Sequence, residues 1–466
     1  MMRKCLPIAA ALLLGGCATA GPDYAPPSNS VATSESANGA FVSASAVAFS
    51  QQPLPERWWR LYDSPVLDGL VEEALAANAD LRAADANLKR AEAVIRGTAA
   101  NRTLSTGISG GASLARPSST GYSLPGVVDY DAGISLALPL DLRGKIARAI
   151  EASEADRDAV AAARDAVRVS VAATTAKAYA DVCGANFRLA ATKRIVALQR
   201  QTLDATRRLE KGGRGTAFDV SRAQAQVDAS EAKLPGFIAQ RRSALYLLAT
   251  MLGRPPGEYP SEVELCDTLP SLAKAMPVGD GASLIRRRPD IRQAERTIAA
   301  DTARIGVATA DLYPQVSLGG SLGVSGPLKN IGGPTSFGFS LGPLISWSFP
   351  NRPAVRAAID QANAQVEADI AGFDSTVLSA LRETETALEA YARDRDTTAA
   401  LGRARKSAAL SAQQAGKLFR FGRSDFLTLL DSQRSLAEAE ANYASAQAGL
   451  VDDQIAIFLA LGGGWE

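Results

Sequence analysis

The sequence predicts a mainly α-helical protein, duplicated within one chain, that carries a few β-strands suited to a membrane barrel. Three observations predict this. The corner "GGRGTAFDVSRAQ" at 212–224 returns as "FGRSDFLTLLDSQ" at 421–433, with Gly213 matching Gly422 and Gln224 matching Gln433 at an offset of 209. Long Ala-rich helical runs flank both corners. Short segments alternate apolar residues with Ser, Gly and Ala, the period-2 signature of a strand with two unlike faces.

The N-terminus reads as a secretory signal over residues 1–16. Arg3 and Lys4 precede an apolar stretch too short to span a membrane, and "LLGGC" closes it. That ending resembles a bacterial lipobox, which implies a lipid-anchored Cys17 bearing S-diacylglycerol and N-palmitoyl chains; an ordinary signal with an incidental cysteine is the alternative. Several chains contribute roughly 0.8 kcal/mol per buried CH₂, enough for stable anchoring. Ala18, rather than an acidic residue, implies sorting to the outer membrane. Residues 17–57, rich in Ser, Ala and Pro, read as an extended surface segment.

The first repeat spans 58–260. A helical pattern from Trp58 to about Arg96 precedes two strands, one of them within "YDAGISLALPL" at 130–140. Two helical runs follow, near 143–210 and 216–252, split by the Gly-rich corner. An irregular linker covers 261–282. The second repeat, 283–462, restates the order: "RPDIRQAERTIAADTARIG" echoes "NADLRAADANLKRAEAVIRG" at an offset of 210, two more strands follow, and helices run from about Ala354 to Arg420 and Ser424 to Leu461. A near-constant offset over so long a stretch marks internal duplication. Residues 463–466 form a tail.

The four strands suit a barrel wall with lipid-facing apolar groups outside and small groups inside, although a half-buried soluble sheet gives the same alternation. An open sheet edge is not tolerated in hydrocarbon, and closed barrels start near eight strands, so four strands per chain require other chains. Runs of about 65 residues would span about 100 Å at 1.5 Å per residue. Val377, Leu381, Thr384, Leu388 and Tyr391 step by 4 and 3, a coiled-coil seam.

Composition excludes several classes. Lys+Arg number 50 against Asp+Glu 49, and aromatics make up 6%, so no nucleic-acid footprint is expected. With His at 0, histidine-based nucleophile systems and metal sites are absent. No phosphate-cradling loop and no CxxC pair occur, and adjacent acids such as Glu72-Glu73 and Asp452-Asp453 diverge on a helix. The expectation is no enzyme, no metal and no cofactor beyond the covalent lipid. Cys183 and Cys266 would pair in an oxidising compartment or remain two free thiols; spacing does not decide.

The lipobox with "GPDYAPP", "WWRLYDSPVLDGLVEEALAANADLRAA", "RRRPDIRQAE", "LYPQVSLGGSLG" and "FGRSDFLTLLDSQRSLAEAEANY" together resemble the TolC family of outer-membrane efflux channels, in its lipoprotein branch. The resemblance covers nearly all of the mature chain. It implies a homotrimer whose strands close a twelve-stranded barrel, continued by a long periplasmic α-helical barrel. The duplication would then make three chains a nearly sixfold tube. The implied partners are a periplasmic adaptor, an inner-membrane RND pump and outer-membrane lipid. Gly213 and Gly422 fall at the adaptor-docking tips, and Leu427 and Asp431 at an apolar and acidic gate. Position 424, basic in some members, is Ser here, and Arg434 is placed to pair with Asp431. The implied function is passive export of small toxic compounds such as drugs. A type I protein-secretion duct and a non-conducting spacer lipoprotein are the rivals.

Overall fold

The computed structural model describes residues 19–45, 48–115, 118–119, 122–123, 126–272, 274–347, 349 and 352–463. The expected signal peptide, Cys17 and residues 464–466 lie outside these. Numbering only the longer elements, the first half contains α1 (Pro65–Ala77), α2 (Ala79–Ala100), β1 (Ser105–Ala115), β2 (Val127–Leu140), α3 (Lys145–Lys211), α4 (Ala217–Glu231) and α5 (Leu234–Met251). The second contains α6 (Gly281–Arg287), α7 (Pro289–Ala310), β3 (Gln315–Pro327), β4 (Phe337–Ser346), α8 (Arg352–Arg420) and α9 (Phe426–Ala460). Both ends of α2 and α7 keep the 210-residue offset: Ala79 against Pro289, Ala100 against Ala310.

Two of the expected helical runs are divided, each for a local reason. The run from Trp58 begins as a 3-10 turn, Trp58–Tyr62, and breaks at Asp63, which has a φ of 50°. Ser64 caps α1 and Pro65 starts it, the favoured place for proline. Asn78 then ends α1, and its side-chain oxygen accepts from the amides of Asp80 and Leu81 to start α2. The run from 216 is interrupted at Ala232 and Lys233, because Pro235 has no amide to continue the ladder. In the expected linker, Met276–Pro277 pairs in parallel with Phe49–Ser50, and α6 begins at Gly281. The segment expected to be extended contains short helical turns at Val31–Thr33, Glu35–Asn38 and Val42–Ser45.

The chain forms two compact units, each assembled from pieces of both halves. One holds the sheet, ordered β1-β2-β3-β4 and antiparallel throughout. Its described N-terminal segment is held at Arg148, whose buried guanidinium donates to the Ala20 carbonyl at 3.0 Å and to Asp23 at 2.6 Å. Gly21, at φ +79°, packs there against Gly306; a Cβ would meet the Gly306 Cα at 2.5 Å.

The other unit is a helical bundle. Its core includes Trp58, Trp59 and Phe458, with the Trp58 and Phe458 rings stacked at 4.5 Å. The expected seam on α8 is buried at Val377, Thr384, Leu388 and Tyr391 and half-buried at Leu381. Thr384 Oγ1 donates to the Ala380 carbonyl, which satisfies a polar group at a core position. On α3 alanine is the commonest buried residue, Ala172, Ala176, Ala178 and Ala185 among them, a small side chain that permits close helix approach.

Cys183 and Cys266 are joined in a disulfide that ties the linker to α3. Asn186 reinforces the tie, donating to the carbonyls of Glu264 at 2.9 Å and Cys266 at 2.7 Å. This resolves the alternative that spacing left open, and a disulfide suits an exported protein.

Candidate functional site

The sheet has two unlike faces because strand side chains alternate and the register aligns like with like. Ile108, Ile134, Leu322 and Phe339 form one row across all four strands. The next row, on the opposite face, is Gly107, Ser135, Ser321 and Ser340. Ile108 is 87% exposed and Phe339 79%, so among the described residues nothing covers these apolar side chains. A soluble monomer rarely shows so wide an apolar surface. The polar face is internally hydrogen-bonded in places: Ser321 Oγ and Ser340 Oγ are 2.8 Å apart. Strands β1 and β4 are the sheet edges, and each has one side unpaired among the described residues.

The two corners correspond bond for bond. After α3, Gly213 donates to the Glu210 carbonyl at 2.9 Å and Arg214 to Leu209 at 2.8 Å. After α8, Gly422 donates to Phe419 at 3.0 Å and Arg423 to Leu418 at 2.9 Å. This is the Schellman arrangement, which needs a left-handed residue. Gly213 has φ +69° and Gly422 φ +68°. A Cβ at either would meet nothing within 4 Å, so backbone conformation rather than space selects glycine.

The caps that follow are chemical mirror images. Thr216 accepts from the Asp219 amide, whereas Asp425 accepts from the Thr428 amide at 2.6 Å. That donation holds the Asp425 carboxyl below its ordinary range. Behind the corners, Leu203, Ala223, Val227, Phe426 and Leu430 form one apolar cluster, which locks the two hairpins together.

Leu427 and Asp431 lie four residues apart on α9, hence on one face. Leu427 is 50% exposed and packs into no core. Asp431 accepts from Arg434 at 2.8 Å, and both side chains remain mostly exposed. With Arg222 they line a groove of about 250 Å³ between α4 and α9. Two residues beyond Asp431, on the opposite side of α9, Gln433 is buried and donates to Thr202 Oγ1 at 2.7 Å. Its repeat partner Gln224 instead donates to Asp228 on the surface. The repeats therefore match in backbone and differ in what their equivalent side chains hold.

Sequence reading missed two features. Arg288, 11% exposed, binds Asp290 at 2.7 Å, Glu383 at 3.0 Å and the Ala460 carbonyl at 2.8 Å, beside a cavity of about 500 Å³. Its signal was the "RRRPD" run, which does not show that Arg287 and Arg288 turn inward while Arg286 stays exposed. Asp453, lining the same cavity, has an oxygen with no hydrogen-bond partner; burial and the neighbouring Asp394 push its carboxyl up to about 6. Among the described residues no cluster suited to a metal ion occurs, and no helix is long and apolar enough to cross a membrane.

A family of outer membrane efflux proteins matches residues 70–254 and 282–463. Nodulation protein T of Rhizobium leguminosarum bv. trifolii is 29% identical over 98% of this chain and 96% of its own length. The toluene efflux pump outer membrane protein TtgC of Pseudomonas putida is 27% identical over 98% of this chain and 94% of its own. Among solved structures, the outer-membrane channel OprN superposes with a TM-score of 0.87 at 35% identity, covering 96% of this chain and 99% of that one. The open MtrE channel of Neisseria gonorrhoeae gives 0.79 at 26%, covering 96% and 98%. The two-faced sheet, the duplicated hairpins and these likenesses agree: the chain belongs to the outer membrane efflux protein family, the TolC-type channels.

Proposed function

We propose that this chain is the outer-membrane exit duct of a tripartite RND-type efflux pump and expels small toxic compounds as a homotrimer. The observation that carries the reading is the four-stranded sheet, apolar on one face, small and polar on the other, with both edges open. Each unpaired amide in hydrocarbon costs several kcal/mol, so three copies would pair their edges into a barrel of about twelve strands. The polar face would then line water. The duct performs no chemistry, and energy comes from the inner-membrane pump.

Gly213 and Gly422 mark the tips that meet the periplasmic adaptor. Leu427 and Asp431, three copies of each, narrow the closed mouth. Cys17, acylated, anchors the mature N-terminus in the outer membrane, and the helices extend into the periplasm. Relatives named for toluene, solvent, antibiotic and pyoverdine export support small-molecule cargo over polypeptide.

The test is conductance of the purified protein in planar bilayers, with a toxicity panel on a deletion strain. Conducting trimers and a strain hypersensitive to small toxic compounds are expected. A protein that inserts without conducting would be a spacer lipoprotein. A strain that loses only a secreted polypeptide would identify a type I duct.

A further inference from the structure

The helix-side ends of β2, β3 and β4 carry a run of aromatic and cationic groups that the export reading does not use. Arg143, between β2 and α3, sets its guanidinium 4.4 Å from the centroid of the Tyr313 ring. Next to Tyr313, the Leu312 carbonyl accepts a 3.2 Å hydrogen bond from Trp347 Nε1. The Trp347 ring lies 4.8 Å from that of Phe349, over which the Arg352 guanidinium stands at 5.9 Å. These groups form one ledge at the end of the sheet where Leu140 pairs with Val316 and Gln315 with Ser346.

Two properties of the ledge point to its occupant. It continues the apolar face: Trp347 follows Phe337, Phe339, Leu341 and Ile345 in the same alternation, and it is 45% exposed. It is also a place of unmatched positive charge. Among the described residues no carboxylate pairs with Arg143 or Arg352, although acids are close at hand. Lys145 takes Asp311 at 2.6 Å, and the Asp141 carboxylate accepts from the amides of Ile146 and Ala147. Indole and phenol rings settle where hydrocarbon meets water, and a guanidinium offers phosphate two parallel donors. Rings that hold each guanidinium in place reduce the ordering needed on binding.

We propose that this ledge binds the phosphate headgroup of anionic phospholipid in the leaflet nearest the helices, with Arg143 and Arg352 as the phosphate-binding groups. The inference rests on the membrane-channel reading above. A free phosphate ion is the lesser fit, because the site is an open ledge continuous with an apolar wall.

The full-length protein is reconstituted in vesicles of phosphatidylcholine with a minor fraction of phosphatidylglycerol, and the lipid retained after detergent extraction is measured. Each cation near an anionic surface changes partitioning about fivefold, so retention should favour phosphatidylglycerol several-fold. The preference should fall with added salt. The Arg143→Gln/Arg352→Gln variant should lose it while still conducting, and Arg143→Lys/Arg352→Lys should recover part. Equal retention of the two lipids by a conducting channel, or a preference that salt leaves untouched in the unsubstituted protein, overturns this inference alone. A thermal shift from inorganic phosphate as large as that from phosphatidylglycerol overturns the lipid assignment. Failure to insert and conduct at all overturns the channel reading as well.

Discussion

Arg434 donates to the Asp431 carboxylate at 2.8 Å, one turn along the helix face that also carries Leu427. The acid is therefore already partly neutralised within its own protomer, and the leucine is the unpartnered member of the pair. If this face lines the proposed gate, Leu427→Ala with Asp431→Ala should raise single-channel conductance, lower cation preference and admit large antibiotics such as vancomycin. Arg434→Ala alone should raise cation preference by releasing the carboxylate. Trimer melting should change little, since half-exposed side chains lose few contacts. A destabilised trimer with unchanged conductance would assign these residues to packing.

Tryptophan at both Gly213 and Gly422 forces a side chain into the left-handed region at about 1–2 kcal/mol each. It also places bulk at open corners. The trimer should still assemble, and cross-linking to the adaptor should fall sharply together with efflux. Intact cross-linking and efflux would move the docking surface elsewhere.

Cys17→Ser should abolish acyl labelling of the exported protein. Channel assembly should persist, because the proposed barrel would itself hold the chain in the membrane. Undiminished labelling would sink the lipobox assignment.

The Cys183–Cys266 disulfide closes a loop of 83 residues in sequence. Replacing both with Ser should cost about 2–4 kcal/mol, read as a lower melting temperature. The loss should be confined to the bundle that holds the linker, with protease nicking appearing first near residues 253–272. Unchanged melting under reducing and non-reducing conditions would show that Asn186 alone suffices.

Asp453 gives a pH signature. Its folded value, about 6, lies above the ordinary carboxylate value, so the folded state binds its proton more tightly. Stability is then highest below the unfolded value near pH 4 and declines as pH rises through 6. Asp453→Asn should stabilise the protein at pH 7 and make no difference at pH 4. A variant equally stable, or less stable, at pH 7 would show that burial and Asp394 impose no such strain.

Much of this was legible because repetition and alternation are one-dimensional signals. Gly213 and Gly422 announced the corners through their shared context, and Ile134, Leu136, Leu138 and Leu140 announced a strand with two faces. The seam from Val377 to Tyr391 was legible because 4–3 stepping is a local property. Contacts between distant segments were not. Nothing in the spacing of Cys183 and Cys266 says that the linker folds back onto α3, and nothing in "RRRPD" says that Arg288 gathers Asp290, Glu383 and the Ala460 carbonyl. The mirror-image caps were visible as letters, Thr216 with Asp219 and Asp425 with Thr428. Their equivalence as hydrogen bonds required coordinates. Helix breaks at Asn78 and Lys233 were missed because the apolar period runs straight through them.

The open edges of β1 and β4 carry a genetic consequence. In the proposed trimer each chain supplies one edge to each of two neighbours, so a single chain with a spoiled edge breaks the ring. When damaged and intact copies are made in equal amounts and mix at random, about one ring in eight contains only intact chains. Edge lesions on β1 or β4, such as proline at a pairing position, should therefore behave as dominant alleles. Truncations that prevent the chain from folding at all should be recessive, because they withdraw a subunit without poisoning the ring.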